Sequence, residues 1–263
     1  MTDLNASQNF SLVTPETDTL FFGRNPAVEA GESHIRRIAR QSGLPITFSH
    51  GVPSIPAFGP GHQIALRAKR VLDIVATALA LVALLPLMVL VAVAIKIASP
   101  GPIFFRQWRE GIDGRLFEVL KFRSMHLEIG DPSGVQQTVE NDPRIFALGR
   151  FLRKTSIDEL PQLINVLRGE MSLVGPRPHV PGMRAAGRLY RDLVPYYDLR
   201  LKVRPGLTGW AQANGYRGGT DSPALARARV DHDIAYICHF SIWLDLKIIL
   251  LTLKKEFLGG SGY

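Results

Sequence analysis

Cysteine is almost absent from the sequence, and its scarcity excludes several classes of protein. Cys238 is the only cysteine among 263 residues, which rules out a disulfide scaffold and a cysteine zinc cluster. The 24 glycines and 18 prolines form no collagen-like triplet, and no internal repeat is present. Residues 1–12 lack the basic and apolar regions of a secretory signal. We therefore expect a chain that folds without an oxidising compartment.

The charge balance indicates an anionic partner. Lys and Arg number 31 against 23 Asp and Glu, a net charge of +8, and a hydrophobic content of 46% excludes a wholly disordered chain. Residues 1–62 hold five acids and four bases, a net of −1, so residues 63–263 hold +9. Nucleic acid, a phosphorylated substrate and an anionic lipid surface all fit this composition.

Helix-breaking residues and hydropathy divide the chain into three parts. Residues 1–62 are interpreted as a flexible extension ending in a linker, because residues 41–62 contain four prolines and four glycines without apolar periodicity. Residues 63–100 are predicted to be a membrane-embedded segment, and residues 101–263 a folded domain with interfacial helices, including the stretch 240–257; the resemblance described below implies that this domain is catalytic and cytoplasmic. The alternative for the stretch 240–257 is an ordinary core helix, and the sequence does not decide between an interfacial helix and a core helix. The predicted fold class is α+β, mainly helical.

The longest apolar run is residues 71–95, in which only Asp73, Thr77 and Pro86 are not apolar. As one helix it would be roughly 37 Å long, enough to cross a hydrocarbon core of about 30 Å. Basic residues flank both ends, so the positive-inside rule is best satisfied if both ends stay cytoplasmic. Pro86 would break or kink the helix, which favours a re-entrant helix-break-helix. A kinked spanning helix is the open alternative.

Further along the chain, local patterns predict short elements. Residues 103–109 and 115–122 are expected to be strands around a turn at 111–114, with Lys121 on the second strand. A helix ends at Lys154, and Ser156 with Glu159 has the spacing of a capping box that opens a helix running to Leu167. Acids in a first turn need no function, because they complement the helix dipole. The neighbouring cations Arg153 and Lys154 nevertheless indicate an anion site at this helix start.

Two proline-stiffened basic loops follow. Arg177 lies between Pro176 and Pro178, and Arg204 precedes Pro205 and Gly206. Guanidinium groups on preset backbones suit bidentate phosphate recognition. Together with Asp158 and Glu159, these loops predict a diphosphate site.

These motifs together resemble the bacterial sugar transferases, the small monotopic phosphoglycosyl transferases, over about residues 69–256. The resemblance is carried by the segments 69–73 (KRVLD), 121–125 (KFRSM), 153–160 (RKTSIDEL), 175–178 (GPRP) and 204–212 (RPGLTGWAQ). It implies an enzyme of exopolysaccharide or other surface glycan synthesis in the bacterial inner membrane, with its catalytic domain on the cytoplasmic face.

The resemblance also implies the reaction and the roles of residues. A sugar-1-phosphate would move from a UDP-sugar to a polyprenyl (undecaprenyl) phosphate with release of UMP. Asp158 would be the nucleophile that forms an aspartyl phosphosugar, and Glu159 would bind Mg²⁺. Three cations match family positions that serve the site, namely Lys121, Arg153 and Arg177. Asp233 resembles a further site acid.

One departure and two alternatives accompany this interpretation. Many family members carry Ser before the membrane-helix proline, whereas Leu85 stands here and has no hydroxyl for a freed carbonyl. A membrane-tethered scaffold or a nucleic-acid-binding protein would also use the positive charge. Nucleic-acid binders, however, spread their basic residues along a face. We therefore expect membrane lipids, and no nucleic acid, as partners. A transferase that moves the sugar without its phosphate would release UDP. The sugar, the polymer and any homo-oligomer stay open.

Overall fold

The computed structural model describes residues 48–49, 52–53, 55, 59–126, 142–218 and 222–259. Most of the extension 1–62 and residues 127–141 lie outside these residues. The part described is mainly helical, with strands only in pairs, in agreement with the α+β prediction. The helices are α1 (Pro60–Ala98), α2 (Ala147–Lys154), α3 (Gln162–Arg168), α4 (Tyr190–Leu193), α5 (Trp210–Ala213), α6 (Pro223–Cys238) and α7 (Ile242–Gly259). The strands are β1 (Phe48–Ser49), β2 (Val52–Pro53), β3 (Phe104–Glu110), β4 (Leu116–Phe122), β5 (Ser172–Val174), β6 (Arg184–Ala185), β7 (Arg188–Leu189) and β8 (Gly206–Thr208).

Helix α1 contains the whole apolar run. It has Pro60 in its first turn, where the missing N–H costs nothing, and ends before Ser99 and Pro100. It continues through Pro86, so the predicted division into two helices is not present. The fixed φ of proline is itself helical, and a helix can continue through it with the loss of one hydrogen bond. Among the described residues, α1 is the one helix long and apolar enough to cross a membrane.

Both ends of α1 are buried against the described part of the protein, whereas its middle is largely exposed. Near the start, Lys69, Asp73 and Thr77 are buried, and near the end, Met88, Val91 and Ile95 are buried. Between them, residues 78–87 include no buried residue, although Leu81 packs partly against the apolar cluster of the helix end. Most apolar side chains of this largely uncovered section, such as Val82 at 75% exposed, are not covered by the described residues.

A buried polar network joins the start of α1 to the domain. The Lys69 ammonium lies 2.6 Å from Asp245 of α7, whose other oxygen accepts a hydrogen bond from Tyr236 at 2.8 Å. One turn further, the Asp73 carboxylate accepts from the Ser172 hydroxyl at 2.7 Å. Buried charges are tolerated when they are paired in this way, and removing one partner of such a pair costs about 3–5 kcal/mol.

The end of α1 packs on the hairpin β3–β4. This hairpin was predicted from the sequence. The two strands pair antiparallel from Phe104↔Phe122 to Glu110↔Leu116. Phe122 belongs to the same apolar cluster as Ile95 and Leu152. At the strand end, Arg123 donates to the Ser99 hydroxyl at 3.0 Å. These contacts tie the hairpin to α1 and place Lys121 next to α2.

Helix α7 has two apolar faces. Leu244 and Ile248 are buried in the largest core cluster, whereas Trp243 is 81% exposed and Leu250 is 67% exposed. The core-helix interpretation is therefore confirmed for one face. The other face presents large apolar side chains that no described residue covers.

Candidate active site

Asp158 and Glu159 lie in a tight 3-10 turn, Ile157–Glu159, between α2 and α3. The predicted capping box is wrong. Ser156 has a left-handed backbone (φ 53°) and caps nothing, whereas an N-cap residue needs extended dihedrals. Helix α3 begins later, at Gln162, and ends as predicted at Gly169 (φ 85°). Successive residues of a 3-10 turn point about 120° apart, so the two carboxylates face different directions.

The Glu159 carboxylate is held by two cations from different elements. Lys121 of β4 donates to Oε1 at 2.8 Å. Arg177 donates to both oxygens, to Oε2 at 3.2 Å and also to Oε1. Burial by itself raises the pKa of a carboxyl, but the charges of Arg177 and Lys121 hold the pKa of Glu159 well below its usual range. Glu159 is therefore ionised and fixed in place.

The contacts of the Asp158 carboxylate differ from those of Glu159. Its side chain is buried, at 5% exposed, yet no described residue donates a hydrogen bond to its carboxylate. Burial raises the pKa of Asp158 to about 6, against the opposing charges of Lys121 and Arg153. A buried, poorly solvated carboxylate beside several cations has the environment of a nucleophile.

Three of the predicted cations therefore surround the acidic pair. Lys121 and Arg177 contact Glu159 directly, and the charge of Arg153 acts on Asp158. Burial lowers the pKa of Lys121, and the charges of the two carboxylates oppose this shift only in part. Two anions among three cations leave a net positive site that suits a diphosphate.

The structure also brings the two proline loops side by side. Strands β5 and β8, which precede and include them, pair in parallel as Ser172↔Gly206 and Val174↔Thr208. The backbones are so close that a Cβ on Gly206 would lie 2.1 Å from the Gly175 nitrogen. Only glycine allows this approach.

Two of the predicted site residues lie elsewhere. Arg204 donates through Nε to the Gly169 carbonyl at 2.9 Å, at the end of α3, and it is not among the main causes of the pKa shifts of the acidic pair. Asp233 of α6 is buried and pairs with Arg200 at 2.7 Å. The side chains of both residues therefore bind other protein groups.

The sequence interpretation missed Arg109, which belongs to this site. Its Nη1 donates to the Pro178 carbonyl at 3.1 Å. Burial, and then the charge of Arg177, lower the pKa of Arg109 to about 10, while Glu159 opposes the change. The signal was available in the hairpin: the register Phe105↔Lys121 and the two-residue period of β3 place Arg109 on the same face as Lys121.

The ligands that the site offers determine whether it suits a divalent cation. Within the described residues, no three metal-ligating side chains cluster together. Mg²⁺ usually takes one or two carboxylates and completes its shell with water and substrate phosphates. The Glu159 carboxylate accepts three hydrogen bonds and has about four lone-pair sites, so one remains. The residues therefore fit a magnesium ion that arrives with a diphosphate.

Comparison with known proteins identifies the family of this chain. The model of the family "Bacterial sugar transferase" matches residues 64–259. The chain therefore belongs to the bacterial sugar transferase family, and it is a transferase.

Three relatives show how far the similarity extends. Exopolysaccharide production protein PSS of Rhizobium leguminosarum bv. phaseoli is 52% identical over 74% of this chain and 98% of its own length. The UDP-glucose:undecaprenyl-phosphate glucose-1-phosphate transferase of Caulobacter vibrioides is 50% identical over 78% of this chain and 76% of its own length. A protein of the same name from Escherichia coli is 47% identical over 81% of this chain, which spans less than half (46%) of that relative.

Proposed function

We propose that this protein transfers a sugar-1-phosphate from a UDP-sugar to a polyprenyl phosphate and releases UMP, as an initiating step of exopolysaccharide or other surface glycan synthesis. The observation that carries the proposal is the contrast within the acidic pair. Glu159 is held by Lys121 and Arg177, whereas Asp158, its neighbour, is buried and accepts no hydrogen bond from the residues that the structure describes. The relatives named as glucose-1-phosphate transferases support the same reaction.

The proposed chemistry has two displacements at one phosphorus atom. An Asp158 oxygen attacks the phosphorus that carries the sugar, and an O–P bond forms while the bond to the UMP phosphate breaks, so that UMP leaves with the electron pair. A phosphate oxygen of the polyprenyl acceptor then attacks the same phosphorus and restores the Asp158 carboxylate. Splitting the transfer into two steps lets one site serve both substrates.

The surrounding cations have a defined task in both steps. Lys121, Arg153 and Arg177 reduce the repulsion between the carboxylate and the diphosphate and stabilise charge on the departing oxygen. Glu159 is the residue that would hold Mg²⁺, which when bound would neutralise phosphoryl oxygens. Because Asp158 and Glu159 point in different directions, one carboxylate can attack while the other remains in place.

We further propose that α1, although helical throughout, bends sharply at Pro86 and is re-entrant, with both ends on the cytoplasmic side of the inner membrane. The contacts of α1 support this, because Lys69 at its start and Ile95 near its end both pack against the same domain. A domain on one side of a bilayer could not touch both ends of a spanning helix. The largely uncovered middle, residues 78–87, would then lie in the lipid.

The exposed face of α7 fits the same membrane surface. Trp243 and Leu250 project from it, and Lys247 and Lys254 lie close by on the helix, a combination typical of helices at the lipid headgroups. Lys69 of α1 also binds Asp245 of α7, so the two helices lie together where α1 would enter the membrane.

The topology can be tested by cysteine labelling. In a Cys238→Ala background, Gln63→Cys and Ala98→Cys place single thiols at exposed positions near the two ends of α1. A membrane-impermeant maleimide applied to intact cells should label neither thiol and should label both after permeabilisation. Labelling of one end in intact cells would show that α1 spans the membrane.

The reaction is tested with the purified full chain. It is incubated with undecaprenyl phosphate, Mg²⁺ and a panel of UDP-sugars, and both UMP and UDP are measured. We expect UMP to appear in proportion to a lipid-linked diphosphate sugar. Release of UDP would indicate transfer of the sugar without its phosphate, and absence of both products across the panel would favour a scaffold role.

A further inference from the structure

The loop that carries Arg177 is held by its backbone carbonyls. Four successive carbonyls each accept a hydrogen bond from another part of the chain, at 2.6–3.1 Å. The pairs are Pro176 with the Gly206 N–H, Arg177 with Arg200 Nη2, Pro178 with Arg109 Nη1, and His179 with the Glu110 N–H. Two of these donors are arginine side chains, which is unusual for a loop that also contains two prolines.

Arg200 is the most deeply buried of these donors. It is 1% exposed, and its Nη2 lies 2.6 Å from the Arg177 carbonyl. Its Nε and Nη2 lie 2.9 and 2.7 Å from one oxygen of Asp233, and its Nη1 lies 3.4 Å from the Tyr197 hydroxyl. A buried guanidinium needs such a counter-ion, so Asp233 is what allows Arg200 to occupy this position.

The prolines alone do not determine where Arg177 points. Pro176 and Pro178 fix their own φ angles, and Pro178 restricts Arg177 to extended conformations, but the ψ angle of Arg177 keeps a range of tens of degrees. A hydrogen bond to the Arg177 carbonyl fixes the plane of the peptide that follows, and therefore this angle. The direction of the guanidinium toward Glu159 depends on it.

We propose that Arg200, with Asp233 as its counter-ion, is a positioning residue that aims Arg177 at the anion site. The inference rests on the proposed function, since it names how the diphosphate-binding arginine of that site is oriented. It also gives Asp233 a role different from substrate contact. Asp233 is 2% exposed, and its charge is not among the main causes of the pKa shifts of Asp158 and Glu159.

The test is a double-mutant cycle on the full chain in detergent. The double variant Arg200→Met/Asp233→Asn removes the donor without leaving a buried unpaired charge. UMP release from UDP-glucose with undecaprenyl phosphate should show a kcat/KM lower by about ten- to a hundredfold, the factor that corresponds to a lost hydrogen bond to a charged group. In an Arg177→Ala background, the same pair of substitutions should change kcat/KM by less than about twofold, because Arg200 acts through Arg177. Equal losses in both backgrounds would overturn the proposal.

Two further variants separate positioning from other roles. Asp233→Asn alone leaves the buried Arg200 without its counter-ion, so it should lower kcat/KM in the wild-type background but change it by less than about twofold in the Arg177→Ala background; an equal loss in both backgrounds would indicate direct use of the carboxylate. Ile237→Ala makes a cavity in the core beside the same helix without removing a donor to the loop, and should lower the melting temperature without changing the KM for UDP-glucose. If it changed the KM as the double variant does, general destabilisation would explain the effect.

A binding measurement keeps this inference separate from the reaction itself. The same cycle is measured by calorimetry with UDP as the probe, in the presence of Mg²⁺. Weaker binding in the double variant, lost in the Arg177→Ala background, would support the positioning role even if the wild-type chain released no UMP. Unchanged UDP affinity in the double variant would overturn it.

Discussion

Asp158→Asn should abolish the formation of any covalent phosphosugar adduct and lower UMP release by at least about 10⁴-fold, the scale of losing a nucleophile. The substitution keeps the shape of the side chain and removes its negative charge. Intact-mass spectrometry after incubation with a UDP-sugar, without acceptor, should show one added phosphosugar on the wild-type chain and none on the variant. An adduct on the variant would place the nucleophile at another residue.

The same variant should be as stable as the wild type or more stable at neutral pH. Burial raises the pKa of Asp158 to about 6, so the folded state binds the proton more tightly than the unfolded state. The ionised carboxylate therefore destabilises the fold increasingly as the pH rises from the ordinary pKa of Asp to about 6, and this cost remains fully present above that pH. Asparagine removes the cost, and the melting temperature at pH 7.5 measures the difference.

Glu159→Gln is the matched control for Asp158→Asn, because it neutralises the adjacent carboxylate. Glutamine can still accept hydrogen bonds from Lys121 and Arg177, but without charge. We expect the adduct to form more slowly and at higher Mg²⁺ concentrations, because a carboxylate is the better ligand for that ion. Equal and complete loss in both variants, with no change in magnesium dependence, would contradict the separate roles.

Arg177→Ala should lower kcat/KM for the UDP-sugar by about 10²- to 10³-fold, because it truncates one partner of a partly buried charge pair at the proposed anion site. Arg177 donates to both oxygens of Glu159, and no other residue described in the structure makes such a two-point contact with that carboxylate. The KM for the UDP-sugar and the melting temperature should be measured together, so that loss of binding is distinguished from loss of fold.

Arg177→Lys decides whether charge or geometry matters at this position. An ammonium group supplies the charge but not the planar fork, so the lysine variant should recover little of the lost activity. A lysine variant close to the wild type would show that a point charge is sufficient. It would then also remove the reason for orienting the Arg177 loop so firmly.

Local patterns in the sequence predicted the elements better than the directions of side chains. The hairpin and the long apolar helix follow from periodicity over a few residues, and both are present as β3–β4 and α1. The order of motifs identified the family, and three of its cations surround the acidic pair. The capping box failed although its residue types were correct, because the left-handed backbone of Ser156 depends on how α2 ends.

Tertiary contacts decided the remaining residues. Arg204 was expected at the anion site because a proline follows it, as Pro178 follows Arg177. A stiff backbone does not determine where a long side chain goes, however, and the carbonyl of Gly169 takes the guanidinium. Asp233 and Arg200 lie 33 positions apart, so no local pattern could pair them.

The buried pairs Lys69–Asp245 and Asp73–Ser172 have a consequence for the lipid substrate. They fasten the start of α1 to the domain that carries Asp158, so with α1 in the bilayer as proposed, this carboxylate would be held at a constant height above the membrane. The phosphate of the proposed acceptor would likewise be held at headgroup level by its own chain. The two reactants would then meet by diffusion in two dimensions, and the enzyme would have no need to measure the length of the polyprenyl tail.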